Sequence, residues 1–362
     1  MALVTHTAYV NGVTIRLSTD GDRDAICALV EESLSAPATP DWFDWKYLDN
    51  PFADDFSLLV AEVDGTVIGM QGYLSFPLAH GIESLAGAML VDAIIHPDYR
   101  GTGIYSKLAK ETISHGEATH DVLFSFLNDA AAPIFDHWGW IRVAPTKTYS
   151  RIQDPGAFVR PLGPIATVTT ALARFLRRRR DRRVTLGEKL AIEQADGVFI
   201  DDLVVLSRRV TPSRLHLRRD ERFLAWRFGN PQDEWTTYTA TRYGVPLASV
   251  VTRIKMVGDK RVVTLAEVAP LEGDADRTIG LRRILLHLCE EHADATLLQV
   301  PDGLLPEAVL AEFGFKRDES RLRRLVVGGP EYTLYVHSTK PLPVNVFEPA
   351  NWLLPSAAQT TS

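Results

Sequence analysis

The sequence predicts an α+β fold, an α/β sandwich in which a mixed, largely antiparallel sheet is flanked by helices, and it predicts two such domains in tandem. Three observations lead there. Strand and helix signals alternate through the first 150 residues, short motifs recur in the second half, and 362 residues exceed the roughly 100 to 200 usual for one domain. With 46% hydrophobic and 23% charged residues, the composition is that of a folded globular chain.

Val13 to Leu17 reads as a short strand. Asp22 to Ser33 follows as a helix, with Ile26, Leu29 and Val30 on one face and acids in its first turn. Ser57 to Val63 and Thr66 to Phe76 are β-rich runs joined by Asp64-Gly65, a strong hairpin signal. Met89 to Ile95 is an apolar strand ending at Pro97, and after Gly101 and Gly103 a helix places Ile104, Leu108, Ala109 and Ile113 on its buried stripe. Val122 to Leu127 is another strand, and a short helix presenting Ala131, Ile134, Phe135 and Trp138 is broken by Gly139.

These signals divide the chain into a first domain over 1–150, a basic linker with an amphipathic helix over 151–195, a second domain over 196–338 and a tail over 339–362. The linker holds Pro155, Pro161 and Pro164, the helical pattern Ile165, Val168, Leu172 and Phe175, and six arginines between Arg177 and Arg183. Beyond it, Trp226-Arg227-Phe228 with Asn230-Pro231 matches Trp45-Lys46-Tyr47 with Asn50-Pro51, the tryptophans lying 181 residues apart. Phe313-Gly314-Phe315 likewise matches Trp138-Gly139-Trp140, and Leu265 to Pro270 mirrors Met89 to Pro97. Matched in order, these stretches predict a duplicated fold.

The formal charge of −7 is unevenly distributed: residues 1–150 carry 8 Lys and Arg against 20 Asp and Glu, and the remainder 31 against 26. An acidic first half repels polyanions and attracts amines, which argues against nucleic acid as a direct ligand. Cys27 and Cys289 are the only cysteines, too few and too far apart for a disulfide framework. They are expected to be buried structural thiols. His115, His120 and His137 lack metal-ligand spacing, so no metal is expected. The chain has no membrane-length apolar run, and Met1 to Val13 lacks that of a secretion signal, so a cytoplasmic protein is expected.

The segment carrying chemistry is Ile95-His96-Pro97-Asp98-Tyr99-Arg100-Gly101-Thr102-Gly103-Ile104-Tyr105. A strand runs into a glycine loop that opens a helix, an arrangement that aims unpaired N–H groups and the positive helix end at an anion. With Asn128, Ala131, Gly139 and Trp140 downstream, the segment resembles the GNAT superfamily of acyl-CoA-dependent N-acetyltransferases. In that family the pyrophosphate loop reads Arg/Gln-x-x-Gly-x-Gly/Ala, and the downstream feature reads Asn-x-x-Ala-x-x-x-Tyr-x-x-x-Gly-Phe.

The resemblance implies a GNAT fold over residues 13 to about 149 and acetyl-CoA, or another acyl-CoA, as co-substrate. The expected cofactor-binding residues are Ile94, Ile95, His96, Arg100, Gly101, Thr102, Gly103, Ile104, Tyr105 and Asn128. The partner would be an amine-bearing acceptor, a small molecule or a protein. In the implied mechanism the strands carrying Ile95 and Ser125 splay to admit the pantetheine arm, and free backbone groups near Ile94 and Ile95 polarise the thioester. Asp92 is the candidate base, because an alkylammonium has a pKa of about 10 and must lose a proton before attack. Two residues depart from the pattern. Tyr105 replaces the last Gly/Ala of the loop, where its ring either meets the cofactor or turns away to line the acceptor cleft. Phe135 stands where a tyrosine often protonates the departing thiolate, a lesser loss because a thiol has a pKa of about 8.5.

The second half's counterpart of the loop, Pro270 to Arg277, has lost the glycine pattern and gained three acids, so this copy is expected not to hold CoA. Trp45 and Trp226 are expected in the core rather than in a ligand platform. The alternatives are a catalytically silent acyl-CoA sensor, aminoacyl transfer from charged tRNA, and a nucleic-acid contact through Arg177 to Arg183. The intact loop of the first half favours acyl-CoA.

Overall fold

Asp64 and Gly65 both take positive φ, 48° and 79°, the geometry of a two-residue hairpin turn whose twist matches the flanking strands. Around this turn the first half is laid out in a computed structural model that describes residues 12–34, 37–53, 57–154, 156, 171, 175, 179–181, 189–317 and 332–353. The chain runs through β1 (Thr14–Leu17), α1 (Arg23–Leu34), α2 (Pro40–Phe43), β2 (Leu58–Val63), β3 (Thr66–His80), β4 (Glu83–Ile95), α3 (Ile104–Thr119), β5 (Val122–Leu127), α4 (Ala132–His137), β6 (Ile141–Pro145) and β7 (Thr148–Ile152). The second half supplies β8 (Ala191–Asp196), α5 (Ile200–Ser207), β9 (His216–Leu217), α6 (Glu221–Phe228), β10 (Trp235–Arg242), β11 (Val245–Val257), β12 (Lys260–Ala269), α7 (Ala275–Glu291), β13 (Leu297–Pro301), α8 (Glu307–Glu312), β14 (Lys316–Arg317) and β15 (Thr333–His337).

Two sheets result, with matching strand orders. The first is β1-β2-β3-β4-β5-β15-β6, with β9 added along β3, and the second is β8-β10-β11-β12-β13-β7-β14. In each, one parallel pair, β4 with β5 or β12 with β13, interrupts otherwise antiparallel neighbours. The strand between the fifth and last positions comes from the opposite half of the chain. β7 pairs with β13 and β14, whereas β15 pairs with β5 and β6. The segments 1–150 and 196–338 therefore exchange their closing strands, and residue 150 itself lies within β7.

A shared core joins the sheets. Phe76, Met89 and Phe124 from the first half and Leu224, Trp226 and Trp235 from the second belong to one buried cluster. At its centre the Trp45 and Trp226 rings stack with centroids 5.6 Å apart and planes 16° from parallel. Each indole N–H donates to the other residue's carbonyl, at 2.6 Å from Trp45 and 2.8 Å from Trp226. The matched tryptophans are thus core residues that meet across a local two-fold relation. Cys27 and Cys289 are both buried.

Two strands are longer than their apolar patterns predicted. β3 continues past Phe76 to His80, and β4 begins at Glu83 rather than Met89, because the hairpin closes only at the Gly81-Ile82 turn, with Leu78 and Leu85 still paired in the core. The short strands β6, β7, β9 and β15 carried no usable periodicity. Of the linker's arginine run only Arg179 and Arg180, both exposed, are among the described residues. Asp181, between them and Arg182, is anchored by paired bonds from Arg151 of β7 at 2.9 and 2.8 Å. The expected linker helix around Ile165, Val168 and Leu172 lies outside the described residues.

The strand exchange predicts that a chain ending at residue 150 will not fold alone. Without β15 the facing edges of β5 and β6 stay unpaired, an open template for aggregation. Urea titration of this fragment by near-ultraviolet circular dichroism is expected to show no cooperative transition; a sigmoidal one would refute the expectation.

Candidate active site

β4 and β5 pair only through Gly87–Met89 and Val122–Phe124, and then diverge. The cause lies on the other edge of β4. Val91 pairs with Gly72 and Ile94 with Met70, so Gln71 alone faces both Asp92 and Ala93. This β-bulge bends the strand away from β5, and Asp92 takes φ 51°, a left-handed conformation that Asp tolerates better than most residues. At the start of the cleft Ser125 Oγ donates to the Leu90 carbonyl at 3.1 Å. Beyond it, Leu90–Ile95 turn an edge unpaired by β5 toward the opening.

The end of β4 leads directly into the glycine loop. Ile94 is buried, and Ile95 lies opposite Gly69, where any Cβ would come within 2.6 Å of the Ile95 side chain. His96 accepts from the Asp98 N–H at 3.3 Å and holds its other ring nitrogen 3.2 Å from Glu32 of α1, which ties the turn to the helix layer. Arg100 donates through Nε to the Ile95 carbonyl at 3.0 Å, and Thr102 Oγ1 donates to the Tyr99 carbonyl at 2.6 Å. Gly101 and Gly103 adopt φ 77° and 83° with open space where a Cβ would stand, so backbone conformation rather than crowding calls for glycine. Gly103 is the residue before α3 and offers no side-chain cap. Among the described residues no acceptor takes the N–H groups of Gly101, Thr102 or Gly103, and these precede the helix's own unbonded first turn from Ile104. Tyr105 turns toward α4, its ring 6.3 Å from that of Trp138, and burial pushes its phenol pKa up to about 12.

Asn128 closes β5, and its side-chain carbonyl accepts from the N–H groups of Ala130 and Ala131 at 3.1 and 3.0 Å. Phe135 is a core residue at 1% exposure, between the rings of Trp138 and Trp140.

Across the sheet from α3, Asp92 meets two residues whose sequence marks them only as part of a recurring aromatic motif. Lys46 Nζ lies 2.6 Å from Asp92 Oδ2, and the Tyr47 hydroxyl donates to the same oxygen. Lys46 is 1% exposed, with its ammonium 5.0 Å from the centre of the Trp42 ring. Burial, and next the Asp92 charge, raise the Tyr47 pKa well above its ordinary value. A π-turn over Asp44–Leu48 aims this trio, and Gly72 admits the Tyr47 ring, since a Cβ there would stand 2.8 Å from it. The missed signal was a lysine inside an apolar aromatic run, which demands a buried carboxylate partner.

The corresponding place in the second half is filled from within. Asp274 caps α7, its carboxylate accepting from the N–H groups of Asp276 and Arg277 at 3.0 and 3.2 Å. Arg277 is buried and donates to the carbonyls of Pro270, Leu271 and Leu304 at 2.6, 2.6 and 3.0 Å. An anion arriving there would meet a carboxylate instead of free N–H groups.

The loop, the uncapped helix and the diverging strands coincide with a family match: residues 14–143 fit the model of an acetyltransferase (GNAT) domain. The match covers residues 14–143 alone, the GNAT-like domain of the chain. The fold is shared well beyond it. A GCN5-related N-acetyltransferase from Kribbella flavida superposes over 90% of this chain and 71% of its own, with TM-score 0.59 and 14% identity. One from Anabaena variabilis covers 92% and 76%, at 0.60 and 11%. Saccharomyces cerevisiae N-myristoyltransferase with bound myristoyl-CoA covers 94% and 83%, at 0.59 and 10%. No curated protein matches the sequence. Among the described residues of the GNAT domain and the second half, no three His, Cys, Asp or Glu side chains converge as metal ligands, and no helix is long and apolar enough to cross a membrane.

Removing the Lys46 ammonium leaves the Asp92 carboxylate in a nearly closed site. Lys46→Met is therefore expected to destabilise the chain by about 3 kcal/mol, and adding Asp92→Leu should recover much of that loss. Urea unfolding of the two variants checks both signs.

Proposed function

We propose that the chain is an N-acyltransferase that moves an acetyl or other acyl group from acyl-CoA to an amine, with the GNAT domain holding the cofactor. The observation that carries this reading is the contrast between the two helix starts. The N-terminus of α3 presents free N–H groups beyond a diverging strand pair, whereas that of α7 is closed by Asp274 and Arg277. In this reading the second half, 196–338, is a copy of the fold that has lost its cofactor loop, and 1–150 and 151–195 keep their roles as acyl-CoA domain and linker.

The pyrophosphate would lie on Arg100, Gly101, Thr102, Gly103, Ile104 and Tyr105, with backbone N–H groups and the positive helix end as its partners. The pantetheine arm would follow the open edge of β4 at Ile94 and Ile95, and free main-chain donors there would stabilise the oxyanion formed when the amine attacks. Asn128 shapes the opposite wall by fixing the turn into α4, and His96 fixes the loop against α1. Asp92 is assigned as base. Its Oδ2 is committed to Lys46 and Tyr47, which leaves Oδ1 to take the proton from the amine or from an intervening water. The acyl chain is left open between acetyl and longer groups, and the acceptor is an amine.

A second reading, a silent acyl-CoA sensor, draws on Phe135, which is buried and has no proton to give. Two experiments separate the readings. In calorimetric titration with acetyl-CoA, Gly103→Asp puts a carboxylate where phosphate would bind and is expected to weaken affinity by at least about tenfold, 1.4 kcal/mol; equal affinity would remove this site. In a thiol-release assay over a panel of amines and across pH, Asp92→Asn is expected to lower the rate by about 10²- to 10⁴-fold with cofactor binding retained, and Phe135→Tyr to change it little. Cofactor binding without thiol release from any amine would support the sensor.

A further inference from the structure

Arg227 of α6 holds the position in the second half that Lys46 holds in the first, directly after the stacked tryptophan. Its guanidinium is completely buried, and none of its three nitrogens has a hydrogen-bond partner among the described residues. The Phe228 and Trp235 rings, in edge contact with each other at 5.0 Å, lie beside it, with centres 5.5 and 5.3 Å from its central carbon. The neighbouring charges are already matched. Arg219 pairs with Glu267 at 3.2 Å, and Arg253 pairs with Asp233 at 3.1 Å, where Lys255 also reaches in from the surface. Arg227 is left without a salt-bridge partner among the described residues. The indole N–H of Trp235 and Oε2 of Glu267 are likewise buried without partners. Burial, and then Arg253, pushes the Arg227 pKa down to about 10, so the group is still a cation at neutral pH.

The first half shows what such a cation takes. Lys46 meets the carboxylate that the β4 bulge supplies at Asp92. The bulge in β12 falls at Ala266, since Val251 pairs with Glu267 and Thr252 with Leu265, and it supplies only a methyl group. A buried guanidinium without acceptors is strongly unfavourable, and its planar fork fits a carboxylate through two parallel bonds.

We propose that the Arg227 cluster is a second ligand site, in which the guanidinium binds a small carboxylate from solution beside the paired Phe228 and Trp235 rings. The Trp235 indole supplies a further donor. Glu267 Oε2 favours ligands that also carry a hydroxyl or an amino group. This site does not depend on acyl-CoA and belongs to the half whose cofactor loop is closed.

Thermal unfolding of the full chain, equilibrated for hours in sodium acetate, sodium glycolate, acetamide or sodium chloride at matched ionic strength, tests it. Acetate and glycolate are expected to raise the wild-type Tm saturably by about 2–6 °C over acetamide and chloride. Arg227→Met is expected to lose this shift and to melt higher than the wild type in acetamide, because it removes an unpaired buried charge. Equal Tm values in all four media, or an undiminished acetate shift in Arg227→Met, would overturn the proposal. Should the variant not fold, the wild-type comparison of acetate with its neutral isostere acetamide decides alone.

Discussion

The exchange of closing strands is the constraint on which the rest of the structure depends. In each sheet the fifth and last strands do not touch, and the gap between them is filled by five residues from the other half, Thr333–His337 in one direction and Thr148–Ile152 in the other. Each half therefore needs the other to complete its backbone pairing. The Trp45–Trp226 stack and the shared core follow from that enforced proximity, which holds the faces of the two sheets together.

Within this frame the GNAT domain's cleft follows from one inserted residue. The bulge at Asp92 turns β4 from β5 and at the same time swings a carboxylate to the opposite face, where Lys46 and Tyr47 receive it. Opening the cleft and anchoring the acid are thus one backbone event. The burial of Lys46 is tolerable only because Asp92 is there, and Asp92 can occupy a left-handed conformation only because the surrounding strands hold it.

The two halves share a strand order and differ at the corresponding helix starts. In the GNAT domain glycines leave the helix start bare, whereas in the second half Asp274 occupies it and Arg277 fastens the adjoining carbonyls. The second half retains a buried cation at the place of Lys46, now without an internal counter-ion.

Much of this was legible in the sequence. Asp64-Gly65, the apolar stripe of Ile104, Leu108 and Ala109, and the Arg100 to Gly103 loop depend on local geometry, which neighbouring residues dictate, and they stand where the pattern put them. The recurrence of the tryptophan motif announced matching halves, because identical core slots demand similar residues. What the sequence could not disclose were relations between distant residues. That β7 and β15 trade sheets, that Lys46 reaches Asp92, and that Arg227 reaches no carboxylate are decided only when strands far apart in the chain are brought side by side. Short strands of five residues have too little periodicity to declare a partner, and a charge's partner is set by distance in space. The sequence thus determined the elements and the glycine loop, and the tertiary structure decided which strand completes which sheet and which buried charges are matched.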